Sequence, residues 1–303
     1  MTKLEWCRTN APEALQSLED TKLLEMMESS YQRFCKDSSV EVVINSKELN
    51  DCNNYMDYMV EILVATFGDL IAFKGGYMLT KLMPNCARQT SDIDFSIADS
   101  DLYKELINTM ITIGEKFISE GYINHYTIKD VISKTMSGGM NMYNNRGKKV
   151  LGIDVSWHDL SFGLTTTTID IGDVNAFSIE RMLSDKITAI LSRKRFRRPK
   201  DIYDLYCITN CFDFDISKVS EYILKRTNGA GADWCNFPFN ESVLIEYERA
   251  YTSLRLISIT KGEELERPPF RSVIERFYTI CNRLVNIGTE PIWNHNDFMF
   301  HVR

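Results

Sequence analysis

Apolar residues recur along this chain with two distinct periods, and each change of period marks a change of element. In 12–34, Leu15, Leu18, Leu23, Leu24 and Met27 fall at helical spacing, and Met59, Ile62, Leu63 and Phe67 repeat it in 54–67. Both stretches are expected helices. The run Leu70-Ile71-Ala72-Phe73 is short and stops at Gly75-Gly76, which predicts a buried strand, a turn, and a helix through Met78, Leu79 and Leu82 ending before Pro84. The period then drops to two. In 91–97, Ile93, Phe95 and Ile97 alternate with Asp92, Asp94 and Ser96, the signature of a half-buried strand. Residues 150–157 repeat it, with Leu151, Ile153, Val155 and Trp157 on one side and Gly152, Asp154 and Ser156 on the other.

Between these strands, 102–119 reads as an amphipathic helix opened by Ser100-Asp101 and ended by Gly121, followed by a loop-rich interval holding Gly138-Gly139 and Asn144-Asn145. From Ser178 onward helices dominate, most clearly over 179–192, 199–209 and 216–225. The pattern predicts an α+β chain: a mixed α/β domain with a small mixed sheet and N-terminal helices over 1–172, then a helical domain over 173–303.

Composition narrows the setting. With 303 residues and 44% hydrophobic content the chain can bury a core sufficient for one large or two medium domains. No apolar stretch approaches bilayer-spanning length and no apolar signal region follows the first charges, so the expected location is cytoplasmic. Eight cysteines scattered from Cys7 to Cys281 read as reduced thiols, and His125, His158, His295 and His301 lack the spacing to join Cys207 and Cys211 as zinc ligands. A net charge of -7 excludes a protein that coats nucleic acid over its whole surface. Positive charge is instead concentrated in Arg193, Lys194, Arg195, Arg197, Arg198 and Lys200, either a solvated connector between helices or an anion-binding edge.

The candidate chemistry lies at the strand ends. Paired glycines after an apolar strand let backbone N–H groups approach a triphosphate, because no side chain stands in the way. Asp92 and Asp94, one residue apart on a strand, point the same way, and Asp154 is in phase on its own strand. Transfer of a nucleotidyl group needs a fixed α-phosphate, a nucleophilic hydroxyl and neutralised pyrophosphate, which two Mg²⁺ ions bridged by carboxylates supply. Asp154 would be the third ligand or the base nearest the incoming hydroxyl. Further on, Ile179, Met182, Leu183, Lys186 and Ile190 form one helical stripe, so Lys186 sits among apolar neighbours. Its ammonium must either snorkel to water or meet an anion such as the triphosphate. Pro199 suits the first turn of the next helix, where Asp201 would compensate the dipole; Asp204, one turn on, is less readily explained as a cap.

These residues together resemble a known family. Phe73-Lys74-Gly75-Gly76 followed by Arg88, Ser91, Asp92, Ile93 and Asp94 is similar to the first motif of the AbiEii/AbiGii-type toxin nucleotidyltransferases, a branch of the DNA polymerase beta-like superfamily. The segment from Ser178 to Lys186 resembles the family's lysine-bearing helix, and Arg198-Pro199-Lys200-Asp201-Ile202-Tyr203-Asp204-Leu205 its Arg-x-Lys-Asp-x-x-Asp-Leu element. One position departs: Tyr77 follows the glycine pair where the family usually has Thr or Ser.

The resemblance covers about 51–205. It implies a polymerase-beta-like nucleotidyltransferase domain and a Mg²⁺-dependent, pyrophosphate-releasing toxin of a two-gene toxin–antitoxin or phage-defence system, neutralised by a cognate antitoxin. Lys74, Gly75, Gly76, Ser91 and Lys186 would contact the NTP, with Asp204 near the active site organising Lys186 or the acceptor. The implied acceptor is RNA, the 3′ end of tRNA, with the run Arg193–Lys200 flanking the cleft mouth. A protein or small-molecule acceptor, or a non-catalytic nucleotide-binding module acting through a protein partner, are the alternatives. Trp234, Phe237, Phe239, Trp293, Phe298 and Phe300 could stack bases or fill a core.

Overall fold

The computed structural model describes residues 3–10, 17–25, 27, 46–98, 102–129, 137–192, 199–232, 234, 237–258, 262–289 and 291–302. Most of the expected helix over 12–34, the Ser100-Asp101 helix start and the basic positions Arg193 to Arg198 lie outside the described residues. After α1 (Lys3–Asn10) come α2 (Ser46–Phe67), then β1 (Ile71–Lys74), α3 (Gly75–Leu82), β2 (Asp92–Ile97) and α4 (Tyr103–Ser119). Strands β3 (His125–Lys129), β4 (Ser137–Tyr143), β5 (Lys149–Trp157), β6 (Leu164–Ile169) and β7 (Gly172–Phe177) follow. The remainder is α5 (Ile179–Leu191), α6 (Pro199–Cys211), β8 (Phe214–Asp215), α7 (Ile216–Arg226), α8 (Glu241–Thr252), α9 (Phe270–Val285), β9 (Ile292–Asn294) and β10 (Met299–His301).

The first seven strands form one mixed sheet in the order β3-β4-β5-β2-β1-β7-β6, with β2–β5 and β1–β7 parallel and the other pairs antiparallel. Alternation on β2 and β5 sorts their side chains. Ile93, Phe95, Ile97, Ile153 and Val155 are buried in the same core as Met56, Met59, Val60 and Leu63 of α2, which packs against both strands and against α4. In the C-terminal half α5 packs on α6 and α7, α9 packs on α6 to α8, and a three-stranded sheet in the order β10-β9-β8 joins them. Trp293 of β9 is fully buried and donates its indole N–H to the Thr209 carbonyl at 2.8 Å. Among the described residues no helix is long and apolar enough to cross a membrane.

The interval read as loop-rich is corrected here. Gly138 and Gly139 lie within β4, paired with Val155 and Asp154, and Met140 and Met142 are buried in the core. Glycines usually weaken a strand, but a Cβ on Gly139 would fall 1.9 Å from the Ile153 carbonyl oxygen, so close backbone approach requires glycine there. The turn itself comes later, where Asn144 Oδ1 accepts from the N–H groups of Arg146 and Lys148. The β6–β7 hairpin is a further addition: four consecutive threonines in β6 give no apolar alternation to read. Its second strand starts at Gly172, where the sequence pattern divides the chain, and pairs with β1.

Candidate active site

The site begins where β1 becomes α3. Gly75 takes φ +68°, which turns the chain from an extended Lys74 into the helix. The first-turn N–H groups of α3 have no partner within the helix, and the dipole there favours an anion. Glycine is required twice over: a Cβ on Gly75 would sit 2.3 Å from Asp94 Oδ2, and one on Gly76 would sit 3.0 Å from the Thr90 side chain.

Facing this turn are the aspartates. In the parallel β2–β5 pair Asp94 lies opposite Asp154 and Asp92 opposite Gly152, so all three carboxylates share a face. Each is set against a glycine. A Cβ on Gly152 would approach Asp92 Oδ1 to 2.3 Å, and one on Gly139 would lie 3.2 Å from Asp154 Oδ1, completing the set begun by Gly75 and Asp94. Three glycines thus clear the volume that three carboxylates occupy. Burial, then the charges of Asp154 and Asp92, push the Asp94 pKa up to about 6, partly opposed by Lys200 and Lys74. Asp92 is drawn toward Lys149, whose ammonium lies 2.5 Å from Oδ1. Among the described residues no three Asp, Glu, His or Cys side chains are already gathered tightly enough to ligate one ion. The donor set is nonetheless all-oxygen and anionic, as a hard divalent cation prefers. The negative charge that adds to burial in raising Asp94 is charge such an ion would neutralise, so these residues fit Mg²⁺.

A second charged group borders the same cleft. Ser178 caps α5, its hydroxyl accepting from the Arg181 N–H, and two turns on Lys186 is buried with its Nζ 2.8 Å from Asp201 Oδ1 and 2.7 Å from Asp204 Oδ2. Asp204 also accepts from Arg88 at 3.0 Å. Burial pulls the Lys186 pKa down, but Asp201 and Asp204 outweigh it and hold it above the ordinary value. Burial would raise Asp204, yet Arg88 and Lys186 hold it below the usual carboxylate range. Lys200, exposed beside them, is held below its ordinary value chiefly by the Arg88 charge. Lys74, Gly75, Gly76, Thr90, Asp92, Asp94, Asp154, Asp185, Lys186, Lys200 and Asp201 all line the cleft, with Leu79, Met182 and Ala189 as its apolar wall.

Residues 57–276 match the family model described as nucleotidyl transferase AbiEii toxin, type IV TA system. The chain belongs to the AbiEii family. It is therefore a nucleotidyltransferase toxin of a type IV toxin–antitoxin system, using an NTP and a divalent metal and paired with an antitoxin. The match runs past the motifs into α9 and so embraces most of the helical half. None of the curated proteins compared matches the sequence. Among solved structures, MenT4, a nucleotidyltransferase toxin from Mycobacterium tuberculosis H37Rv, is 16% identical, with 79% of this chain and 84% of that one covered at a TM-score of 0.46. JHP933 from Helicobacter pylori is 13% identical, covering 80% and 99% at 0.41.

Most of the residues singled out in this AbiEii chain come together. Lys74, Gly75, Gly76, the three aspartates, Lys186 and Lys200 line one cleft, while Asp204 stands behind Lys186 as its ion-pair partner. Ser91 is not among the lining residues; its carbonyl accepts from the Gly152 N–H at 2.8 Å and ties β2 to β5. Thr90 lines the cleft next to Gly76 in its place. Tyr77, the family departure, is buried and donates its hydroxyl to Asp57 at 2.7 Å, away from the cleft lining. Asp201 is in the first turn of α6, as expected of a dipole-compensating acid, and also holds Lys186. Sequence reading missed Thr90, Lys149 and Asp185, whose roles depend on long-range contacts with no local signature. Of the C-terminal aromatics, Phe239 and Trp293 are core residues, while Phe298 is exposed beneath the Arg276 guanidinium.

Proposed function

We propose that the chain transfers a nucleoside monophosphate from an NTP to a hydroxyl of RNA, the 3′ end of tRNA, at the cleft between the glycine turn and the three aspartates. The observation that supports the transfer chemistry is the common facing of Asp92, Asp94 and Asp154, each against a glycine, toward the N-terminus of α3; the RNA acceptor rests on the family resemblance and the basic run. The first-turn N–H groups at Gly75 and Gly76, with Lys74 and Lys186 on the walls, would receive the triphosphate. Asp92, Asp94 and Asp154 would hold two Mg²⁺ ions, which when bound neutralise phosphate charge and activate the acceptor hydroxyl. Asp154 is the carboxylate we assign nearest the incoming hydroxyl, able to take its proton. The acceptor oxygen attacks the α-phosphorus, the bond to the bridging oxygen breaks, and pyrophosphate leaves. Asp204 sets the position of Lys186, and the basic run ending at Lys200 would receive acceptor phosphates by charge alone.

The deciding experiment supplies each α-labelled NTP with Mg²⁺ and separately with total RNA, total protein and a small-molecule fraction. Label in RNA that maps to tRNA 3′ ends supports the assignment. Label only in protein or small molecules replaces the acceptor and leaves the transfer chemistry in place. Absence of label from every fraction, with each NTP tried, would leave nucleotide binding without transfer and overturn the reading.

A further inference from the structure

Beyond the carboxylates, the same two strands carry a second polar group that the transfer chemistry does not use directly. Ser96 continues the face of Asp92 and Asp94 on β2, Ser156 continues that of Asp154 on β5, and His158 lies just past the strand end. Ser96 is fully buried. Ser156 Oγ is 2.9 Å from His158 Nδ1, Ser96 Oγ is 3.0 Å from the same nitrogen, and the two hydroxyl oxygens are 3.2 Å apart. Lys74 reaches into this group. Its ammonium donates to Ser156 Oγ at 2.6 Å, with His158 Nδ1 3.4 Å away and the Phe177 ring centre at 5.2 Å.

Donor and acceptor roles follow from the lysine, which can only donate. Ser156 Oγ receives from Lys74 and has its own hydrogen to give to His158 Nδ1. We assign that nitrogen as the acceptor, because the Lys74 ammonium 3.4 Å away opposes a hydrogen on it, which places the neutral ring's hydrogen on Nε2. Burial, and then the Lys74 charge, favour that state by lowering the His158 pKa to about 4. The geometry also restrains the lysine. Lys74 lies opposite Asp94 in the β1–β2 register, yet its ammonium is hydrogen-bonded at Ser156. Burial lowers the Lys74 pKa, opposed by the charges of Asp185 and Asp94, and an untethered ammonium would fold onto those two carboxylates.

We propose that His158, acting through Ser156, is a positioning residue for Lys74: it fixes the ammonium on the cleft wall, where it meets the triphosphate and leaves the Asp94 oxygens to the metal. The inference rests on the reading of the cleft given above. It explains why a serine–serine–histidine group is built next to the metal-binding strands: Ser156 aims the cation and His158 aims Ser156.

A double-mutant cycle tests it, with transfer kinetics against NTP concentration and a melting temperature for every variant. His158→Phe should raise the NTP KM roughly fivefold, the order of one neutral hydrogen bond, and raise the Mg²⁺ requirement as the freed ammonium competes for the Asp94 oxygens, with little change in kcat at saturating Mg²⁺. His158→Asn, whose Oδ1 can accept where Nδ1 did, should recover most of that loss. In a Lys74→Met background His158→Phe should add nothing further. If His158→Phe does not fold, Ser156→Ala enters the cycle in its place with the same expectation. Equal penalties with and without Lys74 would overturn the proposal, because His158 would then act on something other than that lysine. Should Asp94→Asn lose transfer while Lys74→Met keeps wild-type kinetics, the cleft reading stands and this inference falls. Full activity in both variants would instead remove the cleft reading itself.

Discussion

Two acidic groups border the same cleft, and they differ in how their charge is balanced. On β2 and β5, Asp92, Asp94 and Asp154 crowd one face, and the crowding contributes to raising Asp94 to about 6. On α5 and α6, Asp201 and Asp204 share Lys186, and Asp204 takes Arg88 as well, which holds it below its ordinary value. The first group has one cation of the chain, Lys149 on Asp92, and on the reading proposed above takes further cations from outside. The second carries its cations within the chain and acts as a clamp, joining the loop at Arg88 to both helices. Burial opposes the charged carboxylate in each; the partner decides the sign of the shift.

The largest effect should come from opening the clamp. Lys186→Met removes the ammonium that Asp201 and Asp204 share, with Arg88 still on Asp204, and a broken buried pair costs about 3–5 kcal/mol. Urea unfolding should show this as a lower midpoint with an unchanged slope. A variant as stable as wild type would mean that the two groups do not differ as argued. Next comes the crowded face. Asp94→Asn should reduce transfer by at least about 10²-fold, the scale of losing one major electrostatic element of an active site, and far-UV circular dichroism should remain that of wild type.

The same substitution sharpens the contrast through stability. Because the folded pKa of Asp94 is raised from 3.8 to about 6, the native state binds more protons than the unfolded state between those values. Stability is therefore lost as pH rises through that window and stays low above it. The loss is at most about 3 kcal/mol. Without divalent metal at pH 7, Asp94→Asn should melt a few degrees above wild type, and the advantage should vanish at pH 4. Mg²⁺ should raise the wild-type melting temperature and have less effect on the variant, since binding to the native state stabilises by mass action. A variant that melts below wild type at pH 7 would show that Asp94 is compensated after all.

How much of this could be read beforehand follows from the range of the interactions. β2 and β5 were legible because half-buried strands alternate, and that alternation also set the facing of the three aspartates. The helices were legible from period and caps. What escaped depends on partners far away in sequence: Lys149 on Asp92, Arg88 on Asp204, and the clearance that Gly139 gives Asp154. The Gly138-Gly139 pair read as a loop because glycine disfavours strands, a preference overridden where backbone must approach backbone. The Lys186 stripe announced a buried ammonium but not its anion; Asp201 and Asp204 are 15 and 18 residues away.

The smallest effect is expected on the side of α3 away from the cleft. Tyr77 stands where the family usually carries a small hydroxyl residue, so its substitution asks whether that position still serves the nucleotide. Its ring is 1% exposed, and its hydroxyl donates to Asp57, which also receives Lys81 at 2.8 Å. Tyr77→Phe removes one hydrogen bond and leaves Asp57 its lysine, a loss of about 1 kcal/mol. The NTP KM, kcat and Mg²⁺ requirement should all stay at wild-type values, because the hydroxyl belongs to the Asp57–Lys81 group and Thr90 lines the cleft beside Gly76 instead. If removing the Tyr77 hydroxyl raises the NTP KM several-fold while the melting temperature barely moves, that hydroxyl reaches the triphosphate, and the division between a structural and a ligand-facing side of α3 is wrong.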